Sequence, residues 1–348
     1  MVLDLLVYNS SIIHNNIIRK CYYDQIIYMS ELILDTIKLY PGKYIRIDSE
    51  DPEEIYVSNK VKKVIVLDLD ETIGSFSDLY LLWTTIYEYI EFMNKYIIDE
   101  DSTNSICLRI ENKIKMIDFN SLLDLYPEFF RHGILNILEF IYNKKKLGLC
   151  KVYLYTNNEV AFHNETSPTI WVSKIVDYVT AKIGDSIPLF DQLICAFKIN
   201  RKIVEIKRTT KAKTYSDLIK CTILPKHTEI CFIDDSFFPG MASEKVYYIQ
   251  PKAYNHYLNK DKIIQRLISS KLIEQIPSEY HHGLEIALND CFGNPDKPII
   301  TKCQIEIDIA ISRKLMHYVN EFFYVTIKKS KTRRLRKSAK SGTRKIFI

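Results

Sequence analysis

The chain has 348 residues, 47% of them hydrophobic and 26% charged, the balance of a soluble globular protein with a substantial core, which excludes a disordered or fibrous chain. Its 9 glycines form no G-x-G pair and no G-x-x-x-x-G-K string, so glycine-rich nucleotide cradles are excluded. The net charge of +5 is uneven: ten Lys or Arg and no acid lie between Lys328 and Lys345, so the rest of the chain is mildly acidic.

Residues 1–60 read as a helical N-terminal extension. Ile12 to Lys20 and Ile26 to Tyr40 carry apolar residues three and four apart, and Pro41-Gly42 stops the second run. Val61 to Leu67 is a β-branched run suited to a strand buried on both faces, as in a parallel sheet. Lys151 to Tyr155, Glu229 to Ile233 and Lys245 to Ile249 repeat the pattern. Between them, Gly133 to Lys146 keeps Ile134, Ile137, Leu138 and Ile141 on one helical face, and Thr214 to Lys220 starts as a helix. Alternating buried strands and helices predict an α/β fold with a doubly wound parallel sheet. Ile263 to Ile276 and Ile309 to Tyr324 predict a C-terminal helical extension over 253–327, and 328–348 a flexible basic tail.

The stretch from Leu79 to Met93 contains Glu88 and Glu91 and is too short to span a bilayer. No secretory leader is evident, and the eight cysteines form no C-x-x-C pair. Reduced thiols, no structural zinc, no membrane and an intracellular location, cytoplasmic or nuclear, are the expectation.

In an open parallel sheet, ligands bind beyond the carboxyl ends of the strands. Three predicted strands end in polar residues: Asp68-Leu-Asp70-Glu71-Thr72, Thr156-Asn157-Asn158 and Asp234-Asp235-Ser236. Asp68 and Asp70 are two apart, so an extended chain points both carboxylates the same way. Carboxylates converging on one crevice would repel a phosphate dianion unless a divalent cation and a lysine neutralised them, and all-oxygen ligands suit Mg²⁺.

Val64-Ile-Val-Leu-Asp68-Leu-Asp70-Glu71-Thr72, Leu154-Tyr-Thr156-Asn and Phe232-Ile-Asp234-Asp235-Ser resemble the haloacid-dehalogenase-like superfamily of phosphotransferases. Within it, D-L-D-E-T and the Arg131-x-Gly133-(x5)-Glu139-Phe element resemble the NLI-interacting-factor-like family, the RNA polymerase II C-terminal-domain phosphatase type. The resemblance covers about 61–252, a Rossmannoid phosphatase domain with an insert after the first strand at about 73–130.

The resemblance implies that Asp68 is the nucleophile forming an aspartyl-phosphate and Asp70 the general acid and base. Thr156 would hydrogen-bond a phosphoryl oxygen, and a lysine before the third strand would neutralise it. Lys207, Arg208, Lys211 and Lys213 crowd that stretch; Lys213, directly before a helix start, is the choice, with Lys211 second. Thr72, Asn157 and Arg131 would contact substrate. Mg²⁺ would be held by Asp68, Asp70 through its carbonyl, and Asp235, supported by Asp234. Gly74-Ser75 stands where the family has a His, His132 replaces the Pro of Arg-Pro-Gly, and the Pro after the last acidic pair is displaced to Pro239.

The expected activity is Mg²⁺-dependent phosphomonoester hydrolysis, with a phosphorylated protein as substrate and the basic tail 328–345 drawing the enzyme to nucleic acid or acidic partners. Two alternatives are a catalytically silent binding scaffold and a nucleic-acid 3′-end phosphatase. The insert, with its aromatic-rich segment Leu79 to Ile98, either caps the crevice, which favours a small molecule, or packs beside the sheet, which favours an extended peptide.

Overall fold

The computed structural model describes residues 36–47, 63–100, 113–158, 169–184, 187–199, 201–225, 228–293 and 302–328. The strand runs predicted from β-branched residues form its centre: β3 (Lys63–Leu67), β4 (Cys150–Tyr155), β8 (Glu229–Ile233) and β9 (Val246–Pro251). With β1 (Ile37–Tyr40) and β5 (Gln192–Ile194) they make a six-stranded sheet of order β1-β9-β8-β3-β4-β5, and β6 (Lys198–Ile199) pairs with β7 (Lys202–Ile203) apart from it. Every pairing within the six-stranded sheet is parallel except β1 with β9. The chain runs outward from β3 through β4 to β5, then returns to β8 on the other side of β3. The connections therefore diverge at the carboxyl ends of β3 and β8, where such a sheet opens a crevice.

Side-chain alternation gives each strand two buried faces. Val64, Val66, Tyr153, Tyr155, Ile230 and Phe232 face the helix α5 (Tyr215–Thr222), which contributes Leu218 and Cys221. Ile65, Leu67, Val152, Leu154, Cys231 and Ile233 face the larger core. That core is built by α1 (Ser77–Glu100), α2 (Phe119–Asp124), α3 (Ile134–Lys146), α4 (Thr169–Ile183), α6 (Lys260–Ile268), α7 (His281–Phe292) and α8 (Lys302–Phe322). The architecture is α/β, a mostly parallel sheet flanked by helices and compatible with a Rossmann-like fold. No helix among the described residues is long and apolar enough to cross a membrane.

Three expectations need correction or qualification. Ile37–Tyr40, expected to end a helix, is strand β1 in antiparallel register with β9, Ile37 opposite Pro251. Ile37 and Leu39 alternate with Lys38 and Tyr40, a period-two pattern, and pairing with β9 overrides the helical reading of the longer stretch. At the following Pro41-Gly42 turn, Gly42 has φ 59°, and a Cβ there would lie 2.7 Å from Glu244 O. The extensions are also woven into the domain: β2 (Tyr44–Arg46) pairs with β10 (Val325–Ile327), and Leu284, Leu315 and Phe322 belong to the same core as Leu67. Finally, the expected C-terminal helix over 263–276 stops at Ile268 and continues as a 3-10 turn, Lys271–Gln275. The predicted helix from Ile12 to Lys20 and the tail from 329 onward lie outside the described residues.

The aromatic-rich segment forms α1, whose Leu79, Leu82, Trp83, Ile86 and Ile90 repeat every three or four residues and are buried. It packs beside the sheet against α7, and Ser77, Tyr80 and Leu81 near its start wall a groove that shares Asp70, Glu71 and Asn158 with the strand-end rim.

Candidate active site

Strand register sets the site. Leu67 is level with Ile233 on β8 and with Leu154 on β4, so the next residues, Asp68 and Asp234, emerge side by side. The ladder continues one step, with Asp68 N donating to Ile233 O (2.9 Å) and Asp234 N to Ile249 O (3.2 Å). Asp68, Asp70, Thr156, Asn157, Asn158, Lys213, Asp234 and Asp235 line one crevice of about 250 Å³ beyond these strand ends.

Lys213 precedes α5, whose N-cap Thr214 accepts from Asp217 N through its hydroxyl (3.1 Å). That cap turns the chain so that Lys213 Nζ enters the crevice, 2.5 Å from Asp68 Oδ1 and 2.6 Å from Asp234 Oδ2. Lys213 is 2% exposed. Burial opposes its charge, but Asp68 and Asp234 together raise its pKa and hold it as a cation. Lys211 is exposed, so of the four crowded cations it is Lys213 that meets the acids.

Carboxylate oxygens of Asp68, Asp234 and Asp235 lie within 4.8 Å of one another, a spacing that could hold a metal ion. Three hard carboxylate donors fit Mg²⁺ rather than a soft metal. Asp234 is fully buried, with Oδ2 on Lys213 and Oδ1 accepting from Ser236 N (2.9 Å). Its part is to position Lys213 and close the back of the site; Asp68, 7% exposed, and the half-buried Asp235 are the more accessible donors. The Asp70 carboxylate is outside this oxygen cluster; Oδ2 accepts from Asn158 Nδ2 at 3.1 Å.

Burial and then the charge of Asp68 push the Asp70 carboxyl up to about 7, against the Asn158 hydrogen bond. The same two causes raise Asp235 to about 6. Burial raises Asp234, Lys213 opposes it, and Asp68 adds to the rise. A crowd of acids around one lysine disfavours full ionisation, the ordinary effect of like charges in a desolvated place.

The other expected residues separate into lining and supporting roles. Thr156 is in the crevice, 1% exposed, and its hydroxyl oxygen accepts from Asn158 N (3.0 Å). Asn157 also lines it, its Oδ1 accepting from Arg208 Nη2 (2.6 Å). Thr72, expected to contact substrate, is fully buried and instead holds Asp235: its hydroxyl donates to Oδ1 (3.0 Å) and accepts from Asp235 N (2.9 Å). Arg131, also expected at the substrate, lies behind the loop and does not line the crevice. Its Nε donates to Thr72 O (2.7 Å) and its Nη2 to Glu71 O (2.6 Å) and Lys252 O (2.8 Å). The loop needs this brace because Glu71 takes left-handed backbone, φ 60°, uncommon for a residue with a Cβ.

Two supporting residues were not assigned from sequence. Asn158 fixes Asp70, and its signal was only its place in a polar strand end. Arg208, 2% exposed, donates to Thr156 O (3.1 Å), Cys195 O (2.7 Å) and Lys211 O (2.9 Å), stapling the β4 end to the segment that carries Lys213. Nothing in a run of cations distinguishes the one that will be buried. Cys150, Cys195, Cys221, Cys231 and Cys291 are free thiols.

No family model, curated protein or solved structure matches the chain.

Proposed function

We propose that the protein is a Mg²⁺-dependent phosphomonoester hydrolase of the haloacid-dehalogenase type, acting on phosphoserine or phosphothreonine in an extended peptide. The observation that carries this reading is the meeting of Lys213 with Asp68 and Asp234 at the rim shared by β3 and β8, beside Asp235. A lysine clamped between carboxylates is costly to bury, and a phosphoryl-transfer site gives it a purpose.

In the reaction, an oxygen of Asp68 attacks phosphorus and the bond from phosphorus to the leaving oxygen breaks, while Asp70 gives that oxygen its proton. Asp70 then takes a proton from water, whose oxygen attacks the phosphorus of aspartyl-phosphate, releasing inorganic phosphate and restoring Asp68. The Thr156 hydroxyl, its oxygen already accepting from Asn158 N, can donate its own proton to a phosphoryl oxygen. Lys213 stands where it can neutralise another. Asp68 and Asp235 would hold Mg²⁺, with the Asp70 carbonyl as a further donor, and the ion would supply neutralisation of the phosphoryl charge.

The peptide preference draws on α1 lying beside the sheet. Next to the crevice is a groove of about 430 Å³ that shares Asp70, Glu71 and Asn158 and is walled by Phe76, Tyr80, Leu81 and Trp171. It has room for residues flanking a phosphorylated side chain. The test is hydrolysis of an aryl phosphate and of a phosphopeptide panel with Mg²⁺ or EDTA. The reading expects Mg²⁺-dependent turnover that disappears in Asp68→Asn; turnover persisting in that variant would refute the mechanism.

A further inference from the structure

A separate cavity, of about 420 Å³, opens at the N-terminus of α3 and is lined by Arg131, His132, Gly133, Leu135, Asn136 and Tyr257, with Glu128 at its wall. Three observations there are independent of the acidic crevice. Arg131 is 1% exposed, yet its Nη1 has no hydrogen-bond partner, while the other two nitrogens are committed to backbone carbonyls. His132 Nδ1 is likewise buried without a partner, its ring stacked on Tyr257 at 6.0 Å and 12°. The 13-residue helix α3 follows its N-cap Gly133, φ 68°, with no side-chain cap; Ile134 N donates to Arg131 O (3.1 Å) and Ile137 N to Gly133 O (3.3 Å), which leaves the amides of Leu135 and Asn136 for a ligand.

Arg131 Nη1 and His132 Nδ1 lack a partner, and the Leu135 and Asn136 amides add two N–H groups at the helix start. A buried donor left unpaired is costly, and an uncapped helix start carries partial positive charge. The nearby acids do not supply the missing acceptor. Glu128 is held bidentately by Arg266, at 2.8 and 2.9 Å. Asp308 of α8 influences Arg131 and His132 electrostatically, but neither hydrogen-bonds it. Ser312 Oγ, on the same helix, is a third buried polar atom without a partner. One water occupies only about 30 Å³, a small part of the 420 Å³ cavity.

We propose that this cavity is a second ligand site, binding a phosphate-class oxyanion through Arg131 Nη1, His132 and the amides of Leu135 and Asn136 in the first turn of α3. It sits behind the acidic crevice: the same guanidinium that would face the anion braces the carbonyls of Glu71 and Thr72.

The probe is inorganic phosphate, titrated calorimetrically into the full chain in EDTA, where the metal-free acidic crevice repels anions. The variant Asn136→Asp places a carboxylate in the first turn of α3, which suits the helix dipole and so keeps the fold, but sets like charge against the anion. His132→Ala removes one donor without touching the Arg131 brace. The expected result is saturable one-site binding, weakened by about tenfold or more in both variants and unchanged in Asp235→Asn. Absence of binding up to roughly 10 mM phosphate, or binding insensitive to Asn136→Asp, would overturn the proposal. So would binding lost in Asp235→Asn, which would put the anion in the crevice. Because the readout is binding, it stands or fails apart from hydrolysis.

Discussion

Lys63 and Glu229 face each other at the first positions of β3 and β8, Nζ 3.0 Å from Oε2, in the strand register that places Asp68 beside Asp234 at the other end. Lys63 Nζ also donates to Phe322 O (2.6 Å) and Val325 O (2.8 Å), closing the C-terminus of α8, while Glu229 accepts from Ile327 N (3.0 Å). One buried pair therefore ties the C-terminal helix and β10 to the foot of the sheet.

Burial lowers Lys63 to about 8 against the pull of Glu229. Below that pH both folded and unfolded chains bind the proton. Between about 8 and the ordinary lysine value the unfolded chain binds more, so stability rises with pH. Urea unfolding is expected to show a gain on the order of 2 kcal/mol between about pH 8 and 9.5. The double variant Lys63→Met/Glu229→Gln should flatten that rise; an equal slope in the variant would refute the assignment.

The sheet was legible because its central strands are buried on both faces, which writes them as unbroken apolar runs such as Val64 to Leu67. The acids were legible because parallel register places the first polar residue after each run at a common rim. What escaped depends on contacts between distant segments. Ile37–Tyr40 is a strand because β9 offers it an edge. Arg131 and Thr72 support the loop because their polar atoms meet the carbonyls of Thr72 and Glu71 and the side chain of Asp235. Sequence spacing places a residue near a site, but not on which side of the backbone its polar atoms find partners.

Lys213→Met should leave Asp68 and Asp234 buried against each other without their cation. Breaking a buried pair of this kind costs about 3–5 kcal/mol. Urea unfolding in EDTA is the measurement, and Lys213→Met/Asp68→Asn should recover part of the loss by removing the stranded charge. If the double variant is as unstable as the sum of the singles, the pairing is not what holds Lys213 there.

Mg²⁺ should stabilise the folded chain, since it joins carboxylates that otherwise repel. At one hundred times its dissociation constant the gain is about 2.7 kcal/mol for one site. Thermal unfolding with Mg²⁺ should therefore shift upward, reverse with EDTA, and lose the shift in Asp235→Asn. An unchanged midpoint in the unmodified chain would argue against a metal at this rim.

Gly74 belongs to the Gly74-Ser75 pair that stands where the resembling family has a histidine, and its own position has no room for a side chain. A Cβ there would run into Phe129 O and the ring of Phe76. Gly74→Ala should destabilise the chain by about 1–3 kcal/mol, the usual cost of overpacking, as read from denaturant midpoints. The variant Gly148→Ala, at an open glycine whose φ of 74° is strained but uncrowded, separates crowding from backbone strain.

Thr72 and Asp235 make the most specific claim on the metal. Thr72 is fully buried, so it cannot meet a ligand directly, but its hydroxyl fixes Oδ1 of Asp235 and accepts the Asp235 amide. Thr72→Val keeps the volume and removes both bonds. Groups that orient a metal ligand typically contribute 10- to 100-fold in affinity, so Mg²⁺ binding followed by calorimetry should weaken by roughly that factor. Activity should return toward its original level at saturating Mg²⁺, because Asp68, Asp70 and Lys213 are untouched. Thr72→Ser, which restores the hydroxyl, should restore the affinity. If Thr72→Val instead lowers turnover at saturating Mg²⁺ while leaving affinity intact, Thr72 acts on the reacting groups and not through Asp235.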